Sequence, residues 1–321
     1  MSLTAALVYL AVGFVLLVWS ADRLVAGASA LARNFGVSAL VVGITIVGFG
    51  TSAPEMVVSA LASLEGNPAL AVGNALGSNI ANIGLILGLT CLVYPMSVEN
   101  STCYREIPLL AAVTVLAAVL MLGGSLSRPD GLILIAGLVL FLAVMLYRAR
   151  RTQTLDPATR ALLNEVSEDM SNRAAVAWTV VGLLVLPASA QLLVNGAIGL
   201  AVIMGVSESV IGLTIVALGT SLPELAAAMA SALRKEDDLC IGNILGSNLF
   251  NLLGVLGIAA LIHPMAIEPL LIQRDLPVMI LTFLMLAGMA LFAGRVGRLS
   301  AAVLLATYIL YQVVVFRTAL G

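Results

Sequence analysis

Two blocks of sequence occur twice in this chain at one fixed spacing. Residues 43 to 55 read GITIVGFGTSAPE and residues 212 to 224 read GLTIVALGTSLPE, nine of thirteen identical at an offset of 169. Residues 73 to 82, GNALGSNIAN, match 242 to 251, GNILGSNLFN, in seven of ten positions at the same offset. No gap separates the two registers, and the offset also pairs Gly36-Val37-Ser38 with Gly205-Val206-Ser207, Arg105 and Pro108 with Arg274 and Pro277, and Arg148 with Arg317. Self-similarity at a fixed long period marks a duplicated structural unit. It covers nearly the whole chain, so whatever one half folds into, the other half must also fold into.

Composition says what each half is. Of 321 residues, 61% are hydrophobic and 10% charged, against roughly 25% charged in a soluble domain. A membrane-crossing helix needs about 20 predominantly apolar residues, so the chain has room for about ten crossings and no large soluble domain. Cutting the apolar stretches at Gly, Pro, Asn and charge clusters gives ten spans, near 4–31, 38–64, 69–95, 105–124, 129–147, 174–201, 207–233, 239–263, 275–294 and 299–317. The first lacks a basic leader region and a small-residue cleavage site, so it reads as a retained span. Each half holds five spans, and because five is odd, the second half crosses the membrane in the opposite sense. The expected fold is therefore an all-α integral membrane protein of ten transmembrane helices in two inverted five-helix repeats, 1–148 and 174–321, joined by a connector, 149–173. Such inverted repeats are typical of secondary transporters, whose sites lie near the midplane where interrupted helices of both repeats meet.

Loop charge sets the expected orientation. With ten spans, one face receives Arg33, Arg105, Arg148, Arg150, Arg151, Arg160, Arg173, Arg234, Lys235, Arg295 and Arg298, the other only Arg128, Arg274 and Arg317. The positive-inside rule puts the first group in the cytoplasm and both termini outside. The connector reads as a solvated cytoplasmic segment with a short surface helix from Asp156 to Met170, without the spacing of a Ca²⁺-binding loop. A net charge of −2 gives no reason to expect nucleic acid as a partner. Cys91, Cys103 and Cys240 match no redox or metal spacing and read as structural.

Charge inside the spans carries the chemistry. The sequence places Asp22, Arg23, Glu55 and Glu224 there. Asp22 and Arg23 have no repeat mates, since Gln191 and Leu192 occupy those positions, and read as a local or snorkelling pair. His263, near a span end, reads as incidental. Glu55 and Glu224 are mates near the middle of their spans, where a lone carboxylate costs roughly 2.5–3.5 kcal/mol on insertion scales. With basic residues only at span ends, the expected compensation is a bound cation or a proton. Pro54 and Pro223 lack an N–H and disfavour helical angles at Ala53 and Leu222, freeing the carbonyls of Gly50 and Gly219 beside the hydroxyls of Thr51, Ser52, Thr220 and Ser221. The second block adds Ser78, Asn82, Ser247 and Asn251, each Ser–Asn pair four apart on one helix face. These oxygens suffice for Ca²⁺, which takes 6–8, or for several Na⁺, and nothing soft favours zinc or copper. Asn74, Asn79, Asn243 and Asn248 read equally well as ligands or as interhelical hydrogen-bond glue.

With both blocks in two inverted copies, the chain resembles the cation/Ca²⁺ antiporter superfamily, specifically its prokaryotic Na⁺/Ca²⁺ exchanger branch. GTSAPE with GNALGSNIAN and GTSLPE with GNILGSNLFN look like that family's two alpha repeats. The resemblance implies a prokaryotic inner-membrane exchanger in which spans two, three, seven and eight form the ion-binding core and spans one and six slide against it. It implies Glu55 and Glu224 as central ligands shared by Ca²⁺ and Na⁺, flanked by Asn82, Asn251, Ser78, Ser247, Thr51, Ser52, Thr220 and Ser221. The chain departs from the pattern at Asn251, where some members carry aspartate. Two midplane carboxylates balance one Ca²⁺ and are exceeded by several Na⁺, so exchange is expected to be electrogenic, with stoichiometry and K⁺ dependence left open. H⁺/Ca²⁺ exchange through the same glutamates is the alternative, and a channel a more distant one. No Ser-His or His-Asp arrangement accompanies the carboxylates, so neither an enzyme nor a cofactor is expected; the ligands are the transported ions, and the other partner is the bilayer.

Overall fold

The structure, a computed structural model, describes residues 1–66, 68–99, 102–151, 170–204 and 217–320. The helix expected from Asp156 lies outside them, as do residues 207–216 of the seventh span. Nine described helices are long and apolar enough to cross a membrane: α1 (Leu3–Phe35), α2 (Ala39–Leu64), α3 (Leu70–Val93), α4 (Thr102–Leu122), α5 (Arg128–Arg148), α6 (Asn172–Ile203), α8 (Asp237–Ile262), α9 (Leu271–Ala293) and α10 (Arg298–Thr318); between α6 and α8 lies the shorter α7 (Leu222–Leu233). Helix ends follow local chemistry. The Ser2, Ser38 and Ser171 hydroxyls accept from backbone N–H groups three residues on, as N-caps do, and Gly36 closes α1 at φ 65°, a left-handed angle that suits glycine.

Two minimal sheets fix the topology. Strand β1 (Met96–Ser97) pairs antiparallel with β4 (Arg295–Val296), and β2 (Ser125–Leu126) with β3 (Met265–Ala266). Each joins one repeat to the other, and Val98 N–H to Gly294 O and Ile267 N–H to Gly124 O, both 2.9 Å, extend the two pairings alike. β2 follows α4 and β3 follows α8, so they share a face only if the chain crosses an even number of times between them. Helices α5, α6 and α8 make three crossings, so the stretch containing α7 supplies the fourth. The ten-helix inverted repeat follows, with β2 and β3 on the face of the chain termini (the terminal face) and β1 and β4 on the face from which the connector leaves (the connector face).

Burial divides the molecule. Helix α8 is buried throughout Leu239–Phe250, and with α2, α3 and α7 it forms the core. Leu184 (68% exposed), Phe292 (93%) and Leu299 (81%) point outward, as expected where the solvent is lipid. Helices α1 and α6, 33 and 32 residues long, measure about 50 Å at 1.5 Å per residue and must tilt in a hydrocarbon layer about 30 Å thick. They pack together through glycines that are repeat mates. A Cβ on Gly13 would lie 2.6 Å from Leu193 N and one on Gly182 2.6 Å from Leu24 Cβ; one on Gly27 would lie 2.7 Å from Thr179 N and one on Gly196 2.7 Å from Leu10 N. In lipid, helices associate by such close approach of small residues.

Two expectations are corrected. Asp22 and Arg23 do not pair: Asp22 Oδ1 binds Arg234 Nη2 at 2.6 Å, and the Arg23 guanidinium lies 4.9 Å from the Trp178 ring centre. Ala53 stays helical, because α2 runs unbroken through Pro54. The reason is packing. Gly48 on α2 sits against Gly246 on α8, where an added Cβ would be 3.1 Å from Gly246 Cα, and that contact constrains the helix from outside. In the second repeat position 217 is alanine, and Gly77, the mate of Gly246, has no described residue within 4 Å of its Cβ direction. There the helix breaks at Thr220–Ser221, and α7 restarts with Pro223 in its first turn.

Substituting Gly27→Leu or Gly196→Leu should force α1 and α6 apart. Each is expected to cost about 1–3 kcal/mol, as overpacking does, read as a lowered unfolding temperature of the detergent-solubilised protein, whereas Gly297→Ala, with nothing within 4 Å, should leave it unchanged.

Candidate functional site

The core brings the sequence-predicted oxygens together. Glu55, Thr51 and Ser52 on α2, Asn82 on α3, Glu224 and Ser221 beside and within α7, and Ser247 and Asn251 on α8 are all buried, with Glu55 and Glu224 each 1% exposed. Ser52 Oγ donates to Glu224 Oε1 at 3.3 Å, linking the two copies of the Thr-Ser-x-Pro-Glu motif. Ser78, Thr220 and Ser221 line a cavity of about 400 Å³ on the terminal side of the site.

The asparagines resolve into two roles. Asn82 Nδ2 donates to Asn248 Oδ1 at 3.4 Å and Asn251 Nδ2 to Asn79 Oδ1 at 3.2 Å, one arrangement repeated by the pseudo-two-fold. Asn79 and Asn248 thus act as glue between α3 and α8. With their amide groups engaged, Asn82 and Asn251 keep Oδ1 free of any protein hydrogen bond, as are both Glu55 oxygens and Glu224 Oε2. Buried polar atoms are nearly always paired, so five unpaired oxygens on four neighbouring side chains are exceptional. None of the ion pairs among the described residues involves Glu55 or Glu224, and no group of three or more His, Cys, Asp or Glu that could hold a metal occurs among them. The site has two carboxylates and neutral oxygens, donors that suit a hard cation. Both asparagines open π-helical turns, Asn82–Leu87 and Asn251–Val255, distortions frequent at functional sites and invisible in the sequence.

Equivalent residues of the two repeats make unequal contacts. On the connector side Thr51 Oγ1 donates to Asn243 Oδ1 at 3.2 Å and lies 3.3 Å from Ser247 Oγ. Their mates Thr220, Asn74 and Ser78 all line the cavity; Asn74 instead donates to Ser59 Oγ at 3.0 Å and Ser78 to Asn74 Oδ1 at 3.5 Å. A Cβ on Gly246 would lie 2.3 Å from Ile44 O and one on Gly242 2.5 Å from Leu40 O, while among the described residues Gly77 has no neighbour within 4 Å and Gly73 has a Leu271 methyl at 3.9 Å. Among the described residues the site is packed shut toward the connector face, and the cavity lies on its terminal side.

Two buried acids at the span ends escaped the sequence reading. Glu106 and Asp275 are themselves repeat mates, within Arg-Glu-Ile-Pro and Arg-Asp-Leu-Pro. Glu106 Oε1 accepts from Arg148 Nη1 at 2.9 Å. Asp275 accepts from Arg274 Nε at 2.8 Å, Arg274 Nη2 at 3.0 Å and Tyr311 OH at 2.9 Å. The offset that pairs Arg105 and Pro108 with Arg274 and Pro277 could have flagged them.

Fold and site define a class: a multi-pass membrane protein of two inverted repeats, with paired buried carboxylates where the repeats meet. Within that class the chain belongs to the sodium/calcium exchanger family, whose model matches residues 5–147 and 174–317, a family of transporters. It is 45% identical to "Putative antiporter CaxA" of Alkalimonas amylolytica over 314 residues, 97% of this chain and 98% of the relative. It is 33% identical to "Sodium/calcium exchanger MaX1" of Methanosarcina acetivorans, covering 98% and 99%. A solved structure of the sodium-calcium exchanger NCX_Mj, soaked with Na⁺ and Sr²⁺, superposes with a TM-score of 0.84 at 30% identity over 96% of this chain and 98% of that one.

The mates Gly246 and Gly77 should respond oppositely to one methyl group. Gly246→Ala is expected to cost about 1–3 kcal/mol by overpacking, whereas Gly77→Ala should be neutral or stabilise by up to about 1 kcal/mol through a less flexible unfolded chain. Thermal unfolding of the two variants checks the packing asymmetry.

Proposed function

We propose that the protein is a Na⁺-driven Ca²⁺ antiporter of a prokaryotic inner membrane, exporting Ca²⁺ electrogenically by alternating access, with both termini outside and residues 149–173 a cytoplasmic connector between repeats 1–148 and 174–321. The observation that carries the reading is the pair Glu55 and Glu224: mates from opposite repeats, buried at membrane depth, with three of their four carboxylate oxygens unpartnered and no ion pair to a basic side chain among the described residues. A cation supplies what the protein does not. Glu55 and Glu224 are its central ligands, and Asn82, Asn251, Thr51, Ser52, Thr220, Ser221, Ser78 and Ser247 complete flanking positions.

Obligatory exchange follows from charge. Two ionised carboxylates balance one Ca²⁺, so the site cannot hold Ca²⁺ and a full set of Na⁺ together without an excess of buried positive charge, and it cannot reorient empty without leaving two carboxylates uncompensated. The relatives named as an antiporter and as a sodium/calcium exchanger support this reading. Orientation rests on the loop arginines.

Uptake of ⁴⁵Ca²⁺ into proteoliposomes, with Na⁺, H⁺ and K⁺ gradients varied independently, tests the coupling. An outwardly directed Na⁺ gradient should drive uptake and move net charge; uptake driven by a pH gradient in Na⁺-free buffer, with none from Na⁺, would replace this reading by H⁺/Ca²⁺ exchange. Glu55→Gln and Glu224→Gln should each abolish transport, at least a hundredfold below wild type, and normal transport by both would overturn the site assignment.

A further inference from the structure

The cavity that opens on the site has a charged mouth. At its inner end lie Asn74, Ser78, Thr220 and Ser221; at the terminal face its wall is built by the first turn of α9 and the outer half of α10. Among the described lining residues two are charged, Arg274 and Asp275. An arginine is an odd occupant of a cation's entry path, because an unneutralised guanidinium raises the potential through the whole of a narrow, low-dielectric passage. Here it is held. Asp275 takes two of its N–H groups side-on, at 2.8 and 3.0 Å, and Arg274 Nη1 donates to Thr318 Oγ1 at 2.5 Å. Asp275 is itself fixed by Tyr311 OH at 2.9 Å, and its side chain is 3% exposed against 19% for Arg274. The carboxylate lies behind the guanidinium and cancels it, so the described lining residues of the mouth carry no net charge.

We infer that Asp275 is a specificity-determining residue of the exchange: by neutralising Arg274 at the mouth of the outward cavity, it keeps the entry path permissive for a divalent cation. This rests on the proposed cation exchange. Its mechanism is charge alone, and charge leaves a valence signature. The electrostatic work of bringing an ion to the site scales with the ion's charge, so any change in mouth charge shifts Ca²⁺ binding, on a logarithmic scale, twice as far as Na⁺ binding. A structural role would not: loosening α9 or narrowing the cavity alters both ions without that two-to-one relation. The repeat supports the assignment, since Glu106, the mate of Asp275, is likewise buried against an arginine, Arg148.

The test measures half-saturating Ca²⁺ and Na⁺ at the terminal face, in sealed vesicles of known orientation and at fixed ionic strength, for D275N, R274Q, the double variant R274Q/D275N and Y311F. D275N exposes the guanidinium and should raise the Ca²⁺ constant about ninefold while raising the Na⁺ constant about threefold, a squared relation that follows from the charges, and both shifts should shrink in high salt. R274Q leaves Asp275 as a bare carboxylate and should lower both constants, again with the squared relation. The double variant restores neutrality and should return both constants to within about twofold of wild type, which also carries the test if D275N alone fails to fold. Y311F leaves both charges in place, so any change should affect Ca²⁺ and Na⁺ alike. Shifts of the same sign in D275N and R274Q, or equal shifts for the two ions, would overturn the inference while leaving the exchange reading intact. Absence of Na⁺-driven Ca²⁺ transport in the wild-type protein would instead defeat the exchange reading.

Discussion

Two carboxylates in a medium that cannot solvate them are the constraint on which the rest of this structure depends. Burying an isolated charge is costly, and among the described residues no arginine or lysine pairs with Glu55 or Glu224 to offset it. The surrounding design answers that cost with neutral oxygen. Asn82 and Asn251 are held across the repeat boundary by Asn248 and Asn79, so their carbonyl oxygens stay available beside the carboxylates. The π-helical turns that begin at both asparagines shift the backbone register at the site. The close glycine contacts of α2 with α8 keep the one carboxylate-bearing helix that is packed on both sides unbroken. Each feature fits the proposal that a cation completes the site.

The pseudo-two-fold makes the molecule nearly a comparison of itself with itself. Sequence equivalence says that Thr51 with Asn243 and Ser247, and Thr220 with Asn74 and Ser78, can make the same contacts, yet only the first set does. Among the described residues the same holds for Gly246, packed against Ile44 O, and Gly77, which has no neighbour within 4 Å. A duplicated chain whose halves make different contacts has, in its own sequence, the means for the opposite arrangement: the contacts made on the connector side are ones the terminal side has the residues to form. Alternating access needs such bistable packing, because interfaces this tightly interdigitated switch between arrangements and do not deform continuously.

Much of this was legible before the structure. The duplication, the ten crossings, the inverted sense and the two central glutamates are written in residue identity and hydropathy, which survive reading one residue at a time. What faces what across the repeats is not. Nothing in the spacing of Asn79 and Asn248 distinguished a ligand from a hydrogen-bond partner, because the answer lies in the packing of α3 on α8. The effect of Pro54 was misjudged for a related reason. A proline's local preference acts on its own helix, but the contact of Gly48 with Gly246 fixes that helix from outside; in the second repeat the helix breaks at Thr220–Ser221, while Leu222, the residue before Pro223, is already helical. Glu106 and Asp275 were passed over because a carboxylate at a span end looks interfacial in a sequence, and only burial shows that it is not.

The asymmetry between the faces has one component that exchange of the repeats cannot reverse. Near the connector face α1 is tied to the segment between α7 and α8 by Asp22 to Arg234 and by Arg33 to Glu236, with Ser29 bonded to both Arg33 and Glu236. The repeat mates of Asp22, Ser29 and Arg33 are Gln191, Ile198 and Val202, so no equivalent tie can form at the terminal face. The two arrangements allowed by the pseudo-symmetry therefore differ in energy, and the ion pairs favour the one in which the connector side is closed. Their magnitude decides what they do. The paired side chains are 26–45% exposed, and pairs so exposed contribute about 0.2–1 kcal/mol each, which biases the balance severalfold without locking it. A buried pair of the same charges would hold the bundle against the core far more firmly, whereas pairs this exposed are weak enough to be broken and still make the two faces of an almost symmetric site unequal.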